Sequence, residues 1–227
     1  MAETIVICGY GVGISDAVLR RFAKEGYRVA IVARNEERLN SAVQKLAAEK
    51  IEVQAFPCDV GDVEAVKRLI ANVQGRLGPI KVLHWNAYGS GAGNLTTASA
   101  DELRSVLNVT VHGLLAAVQA ALPDLKAQQG ALLVTGGGFA FYDPAVDGAA
   151  TQWGAQGLAI GKAAQHKTVG LLSKSLQAEG VYVGEVVVTG LVKGTAFDTG
   201  NATLEASTIA DKFWELYRAR DALSVTI

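Results

Sequence analysis

The stretch Thr4-Ile5-Val6-Ile7-Cys8-Gly9-Tyr10-Gly11-Val12-Gly13-Ile14-Ser15 decides the fold. The apolar run 5–8 is short and rich in β-branched residues, as a buried strand is. Three glycines at alternate positions follow, and helical spacing begins at once: over 14–25 it sets Ala17, Val18, Phe22 and Ala23 on one face. A strand that passes through a tight turn straight into a helix is the opening of a βαβ unit.

The rest of the chain repeats that unit. Apolar runs at 29–33, 51–56, 82–85, 131–135 and 181–188 read as strands, and 223–227 reads as a last one. Helical spacing recurs over 36–49, 63–77, 101–122, 156–178 and 204–218. Strands that alternate with helices and are apolar on both sides imply a parallel sheet covered on both faces. The expectation is an α/β fold, one doubly wound Rossmann-type domain over residues 1–227 with about seven parallel strands. The segment 137–154, rich in Gly, Ala and Asp and carrying Pro144, reads as an irregular loop.

Composition narrows the function. The 21 basic and 22 acidic residues give a net charge of −1, so nothing pulls the chain toward nucleic acid or an anionic membrane. The uncharged stretch 105–123 contains Asn108, Thr110, His112 and Gln119, and reads as a buried helix rather than a membrane span. Cys8 and Cys58 lie in apolar surroundings with no ligand spacing, which predicts reduced core thiols, no metal site and a cytoplasmic location. Glycine, 25 of 227 residues, is well above the usual level of roughly 7%. Nine of the 25 fall at 9/11/13, 89/91/93 and 136/137/138, each cluster following a strand.

Glycines between a strand and a helix let an anion approach the free N–H groups of the helix N-terminus, as the pyrophosphate of a dinucleotide does. At the end of the second strand stands Ala33-Arg34-Asn35. A site that reads a free ribose 2′-hydroxyl usually offers a carboxylate there, whereas an arginine pairs with a 2′-phosphate. The expected cofactor is therefore NADP, with NAD the less favoured choice.

With these residues in place, the whole chain resembles the short-chain dehydrogenase/reductase family. Gly9 to Ser15 is similar to its glycine-rich turn, so Gly9, Gly11, Gly13 and Ile14 would hold the pyrophosphate. Cys58-Asp59-Val60 resembles the segment that holds the adenine, and Trp85-Asn86-Ala87-Tyr88 resembles the family's Asn-Asn-Ala-Gly. Asn108 is similar to its helix-borne active-site asparagine, and Lys162 to the lysine of its Tyr-x-x-x-Lys motif. Thr189-Gly190-Leu191-Val192, with Thr195 after it, resembles the loop that closes over nicotinamide. The resemblance implies hydride transfer between nicotinamide and a small carbonyl or alcohol. It also implies Asp59, Val60, Asn86, Ala87, Lys162, Gly190, Val192 and Thr195 as further cofactor contacts.

The chain departs from the family where a proton must move. The tyrosine that serves the family as general acid falls at Leu158, and the serine that binds the substrate oxygen falls at Gly137. Neither can do that work. Asn108 and Lys162 remain, and Tyr142 in the 137–154 loop is the expected surrogate phenol. Tyr88 is expected to line the cofactor side, His84 to be a core histidine and His166 to sit on an interface. The alternative to an enzyme is a catalytically silent dinucleotide-binding sensor or regulatory subunit. Small residues on the helices at 101–122 and 156–178, such as Ala116, Ala120, Ala163 and Ala164, are similar to the family's pairing helices and imply a homodimer or homotetramer.

Overall fold

The structure, a computed structural model, describes residues 2–227. Seven strands form one sheet: β1 (Thr4–Cys8), β2 (Arg28–Ala33), β3 (Val53–Pro57), β4 (Ile80–Trp85), β5 (Ala131–Gly137), β6 (Tyr182–Val188) and β7 (Ser224–Thr226). All pairs are parallel, in the order β3-β2-β1-β4-β5-β6-β7. The chain winds one way from β1 to β3 and the other way from β4 to β7, so the strand order reverses between β1 and β4. A crevice opens there beyond the carboxyl ends of the strands.

Alternation along each strand divides the core between two faces. Val6, Ala30, Leu83 and Leu132 face α3 (Val63–Leu77), α5 (Gly113–Ala127) and α7 (Gln156–Leu176). Ile5, Ile7, Ile31 and Leu133 face α1 (Ile14–Lys24), α2 (Glu36–Ala48) and α8 (Ala206–Ala219). On that second face Phe22 of α1 meets Tyr27 and Trp214 edge-on, each with ring centroids 5.2 Å apart, and Tyr27 and Tyr217 join hydroxyls at 2.8 Å. These aromatic contacts lock α1, which carries the glycine-rich turn, against α8. Each such pair is worth about 0.5–1.5 kcal/mol beyond its area.

Two segments differ from the sequence expectation. The loop foreseen at 137–154 holds a short 3-10 turn and a helix, α6 (Pro144–Gln152). The Asp143 carboxylate accepts from the N–H groups of Ala145 and Val146 at 2.8 and 3.1 Å, and Pro144 occupies the first turn with its φ preset. The single helix expected over 101–122 is instead α4 (Ala100–Leu107) and α5, joined by a π-helical turn at Asn108–His112. The stretch Ala100–Ala127 is long and apolar enough to cross a membrane. Its apolar side, including Val106, Leu114, Ala117 and Ala121, is buried against the rest of the chain.

Candidate functional site

The turn after β1 is held from three sides. Gly9 and Tyr10 donate their N–H groups to Val32 O at 3.0 and 2.8 Å, which ties the turn to the end of β2. On the other side Asn86 donates its backbone N–H to Cys8 O at 2.8 Å and its amide to Gly9 O at 3.1 Å. Gly9 has φ +85°, and a Cβ there would lie 2.5 Å from Ala87 N, so only glycine lets the β1 turn and the β4 end come together. Within the turn the Ser15 hydroxyl accepts from Gly11 N at 2.9 Å and donates to Gly11 O at 3.0 Å. A serine thus does here by side-chain bonding what a last glycine would do by close packing.

This turn forms a cradle suited to a pyrophosphate. Gly13 is the N-cap of α1, and no side chain occupies the cap, so the first N–H groups of the helix face the crevice. A Cβ on Gly11 would meet nothing within 4 Å. From above, Thr195 closes on the turn: a Cβ on Gly13 would lie 2.6 Å from its Cγ2. The Thr195 hydroxyl donates to Val192 O at 2.8 Å, and Lys193 pairs with Glu205 to fasten the loop after β6. Gly190 packs under Leu204, and Val192 bridges to that same residue.

The remaining residues named for the cofactor line the same edge. Arg34 is exposed at the end of β2, while Asn35 caps α2 by accepting from Arg38 N at 2.8 Å. Cys58 N bonds Ala33 O at 3.0 Å, which sets the β3 end beside the β2 end. Asp59 accepts from Gly61 N at 3.0 Å, and buried Val60 offers its carbonyl to the close approach of Gly113. Burial raises both thiols, Cys58 to about 11 and Cys8 further, so neither is a nucleophile near neutral pH.

At the opposite side of the crevice stands Lys162, buried on α7. Its Nζ donates to Thr135 O at 2.7 Å and to Gln165 Oε1 at 3.0 Å, and lies 6.0 Å from the centroid of the Tyr88 ring. Burial pulls the ammonium down to about 8, against the opposing pull of the Glu185 carboxylate on β6. A Cβ on Gly137 would lie 3.6 Å from the lysine stem, so the missing serine position faces Lys162. Leu158 is buried about one turn earlier on the same helix. Gly137 and Leu158 thus leave no hydroxyl beside the Lys162 amine at these two positions.

Two residues expected at this end lie elsewhere. Tyr142 is fully exposed just before α6, and its phenol is not brought to Lys162; the Asp143 cap directs the chain there outward. Asn108 Oδ1 accepts from His112 Nδ1 at 2.8 Å, and Asn108 packs toward Gly61, beside the Asp59 loop rather than beside Lys162. The helix-borne group linked to the lysine is Thr110, through Gln165: its carbonyl accepts from Gln165 Nε2 at 3.3 Å. Burial lowers His84 to about 3, so it is neutral, and its Nε2 shares a 3.2 Å hydrogen bond with the Thr135 hydroxyl. His166 binds Glu185 Oε2 through Nδ1 at 2.6 Å, and a Cβ at Gly136 would lie 2.5 Å from the other carboxylate oxygen.

Comparison with known proteins bears on the family and the fold. The sequence profile of the family described as short chain dehydrogenase matches residues 3–203. An uncharacterized oxidoreductase of Staphylococcus aureus strain MW2 is 29% identical over 181 residues, 80% of this chain and 74% of that protein. A metagenomic short-chain oxidoreductase solved with NADP superposes with a TM-score of 0.80 at 19% identity, over 99% of this chain and 95% of that one. An NADH-dependent reductase of alginate metabolism superposes as well, with a TM-score of 0.82 at 20% identity, over 99% and 96%. At such identities the superpositions speak for the fold.

Proposed function

Because the chain belongs to the short-chain dehydrogenase family, we propose that it binds NADP in the crevice between β1 and β4. There it would catalyse hydride transfer to or from a small carbonyl or alcohol. The observation that carries this reading is the uncapped N-terminus of α1 under the Gly9–Ser15 turn, beside an acid-free β2 end that presents Arg34. The fold accepts NADP and NADH alike in other proteins, so the choice rests on residues 33 and 34. Arg34 would pair with the 2′-phosphate, the α1 N–H groups and Thr195 would hold the pyrophosphate, and Asp59 and Val60 would flank the adenine.

A bound reduced nicotinamide supplies the hydride. When the hydride reaches the carbonyl carbon, the C=O electron pair stays on oxygen, and that oxygen needs a proton. Lys162 is the group on the crevice floor able to give one. Its N–H bond breaks, the proton goes to the alkoxide, and the neutral amine regains a proton from water. Two of its three donors are fixed to Thr135 and Gln165, so the amine is oriented before substrate arrives. Gly137 and Leu158 leave an apolar wall opposite, and Tyr88 with Phe197, ring centroids 6.1 Å apart, forms an aromatic rim. The protein is read as cytoplasmic, and as a homodimer or homotetramer through α7.

The test is equilibrium binding of NADPH and NADH, followed by a carbonyl and alcohol panel read at the nicotinamide absorbance. Expected is tighter binding of NADPH, lost by tenfold or more in Arg34→Ala, with NADH affinity unchanged. Equal affinity for the two cofactors would overturn the NADP assignment. The solvent-exposed Tyr142 and the Leu158 and Gly137 positions favour a second reading, a silent dinucleotide-binding sensor. Tight binding with no turnover on any substrate would select it.

A further inference from the structure

Gln165 is fully buried in the middle of α7, an unusual place for an amide unless both of its ends are satisfied. Both are. Its carbonyl oxygen accepts from Lys162 Nζ at 3.0 Å, and its NH₂ donates to Thr110 O at 3.3 Å. Thr110 lies in the π-helical turn, where the ordinary i to i+4 ladder is broken and a carbonyl can turn sideways. The Thr110 side chain bonds Val106 O instead of entering the crevice, and Gly161, one residue before the lysine, packs directly on Thr110. Two helices thus meet at one amide, with the lysine on its other end.

We infer that Gln165 is a positioning residue for Lys162: it bridges the ammonium to the carbonyl freed by the π-turn and so sets both its charge and its direction. The reason lies in the surroundings of the amine. The ionisable groups that face it are Glu185 on β6, itself bound to His166, neutral His84 on β4, which reaches it through Thr135, and Tyr88 at the end of β4. Glu185 places both carboxylate oxygens elsewhere, one on His166 and one against Gly136. The hydrogen bonds that stabilise the charged amine therefore come from two neutral acceptors, Thr135 O and Gln165 Oε1. Removing one favours the neutral amine, and replacing it with a carboxylate favours the ammonium. The inference leans on the proposed function only in taking Lys162 to line the crevice in which the dinucleotide and substrate would meet.

The experiment reads Lys162 directly, by NMR of the full-length protein labelled at lysine Cε, with the resonance assigned by its loss in Lys162→Arg. The wild-type amine is expected to titrate near 8. In Gln165→Leu the midpoint should fall by about one pH unit, and in Gln165→Glu it should rise by about one pH unit or more. NADPH affinity, measured by fluorescence across the same pH range, should lose strength at the shifted midpoint in each variant. Gln165→Met, which keeps length but not the acceptor, should follow Gln165→Leu and guards against a packing artefact. Midpoints that stay at the wild-type value in folded variants, with only the melting temperature lowered, would overturn the inference. Midpoints that shift as stated in a protein that binds no dinucleotide would uphold it and overturn the proposed function instead.

Discussion

Gly13 must be glycine for two separate reasons. Its φ of +97° with ψ −128° is a conformation that other residues adopt at a cost of roughly 1–3 kcal/mol, and its missing side chain is the space that Thr195 fills. Gly13→Ala is therefore expected to lower the melting temperature by several degrees and to weaken NADPH binding much more than tenfold, by pushing the Thr195 loop off the pyrophosphate cradle. Calorimetry and fluorescence titration measure the two effects, and a variant that binds normally would show that the loop does not close on the ligand. The places of most of these residues around the crevice were legible in advance, because a glycine run between a strand and a helix and a residue at a strand end have few other positions in such a fold; what they bind stands as proposed. The place of Asn108 was not legible. Sequence spacing names a residue but not the direction its side chain takes out of a helix, and the π-turn sends Asn108 toward Asp59 while the Thr110 carbonyl meets Gln165, the partner of the lysine. Gln165 was missed for the opposite reason: a glutamine in a long helix looks like an exposed one until its burial is known.

At the scale of elements, the strands were readable because a parallel sheet buried on both faces asks for short apolar runs; those of β1, β2 and β5 are nearly unbroken, while polar residues interrupt 51–56 and 223–227 at the partly exposed edges of the sheet. Helix α6 was lost in a segment whose glycine and alanine content looked irregular, although the pair Asp143-Pro144 carried the start signal. That helix is short and largely exposed, so its cap has more leverage than its core. Asp143→Ala should cost about 1 kcal/mol of local helix stability. Amide exchange should then speed up across 144–152 while β4 and β5 stay protected. Uniformly faster exchange throughout the sheet would mean that α6 is part of the global folding unit.

Across the whole molecule, α7 presents an unpaired stripe to the outside. Ile160 and Leu171 are exposed and eleven residues apart, three turns of one face, with Ala164 and Lys167 between them. On the proposed assembly these side chains meet their counterparts across a two-fold axis. Light scattering should return a dimer or tetramer for the wild type and a smaller species for Leu171→Asp. A monomeric wild type at tens of micromolar would remove the oligomer from the reading. Neither charge balance nor length could have supplied this stripe, since it exists only once α7 has been laid against the sheet and its other side is known to be buried.

The π-turn at Asn108–His112 also preserves a phase. A helix advances about 100° per residue, and the π-turn carries one residue more than an α-helical turn would in the same span. Deleting a single residue between 108 and 112 would leave an uninterrupted helix of nearly the same length. Because the π-turn fits its extra residue into a single turn, everything after it would keep its direction. Leu114, Ala117 and Ala121 would still face the sheet, while the carbonyl that Thr110 turns to Gln165 would return to the regular ladder. The small irregularity in the middle of the longest helical stretch thus sets one carbonyl free for a neighbouring helix without changing which side α5 turns to the core.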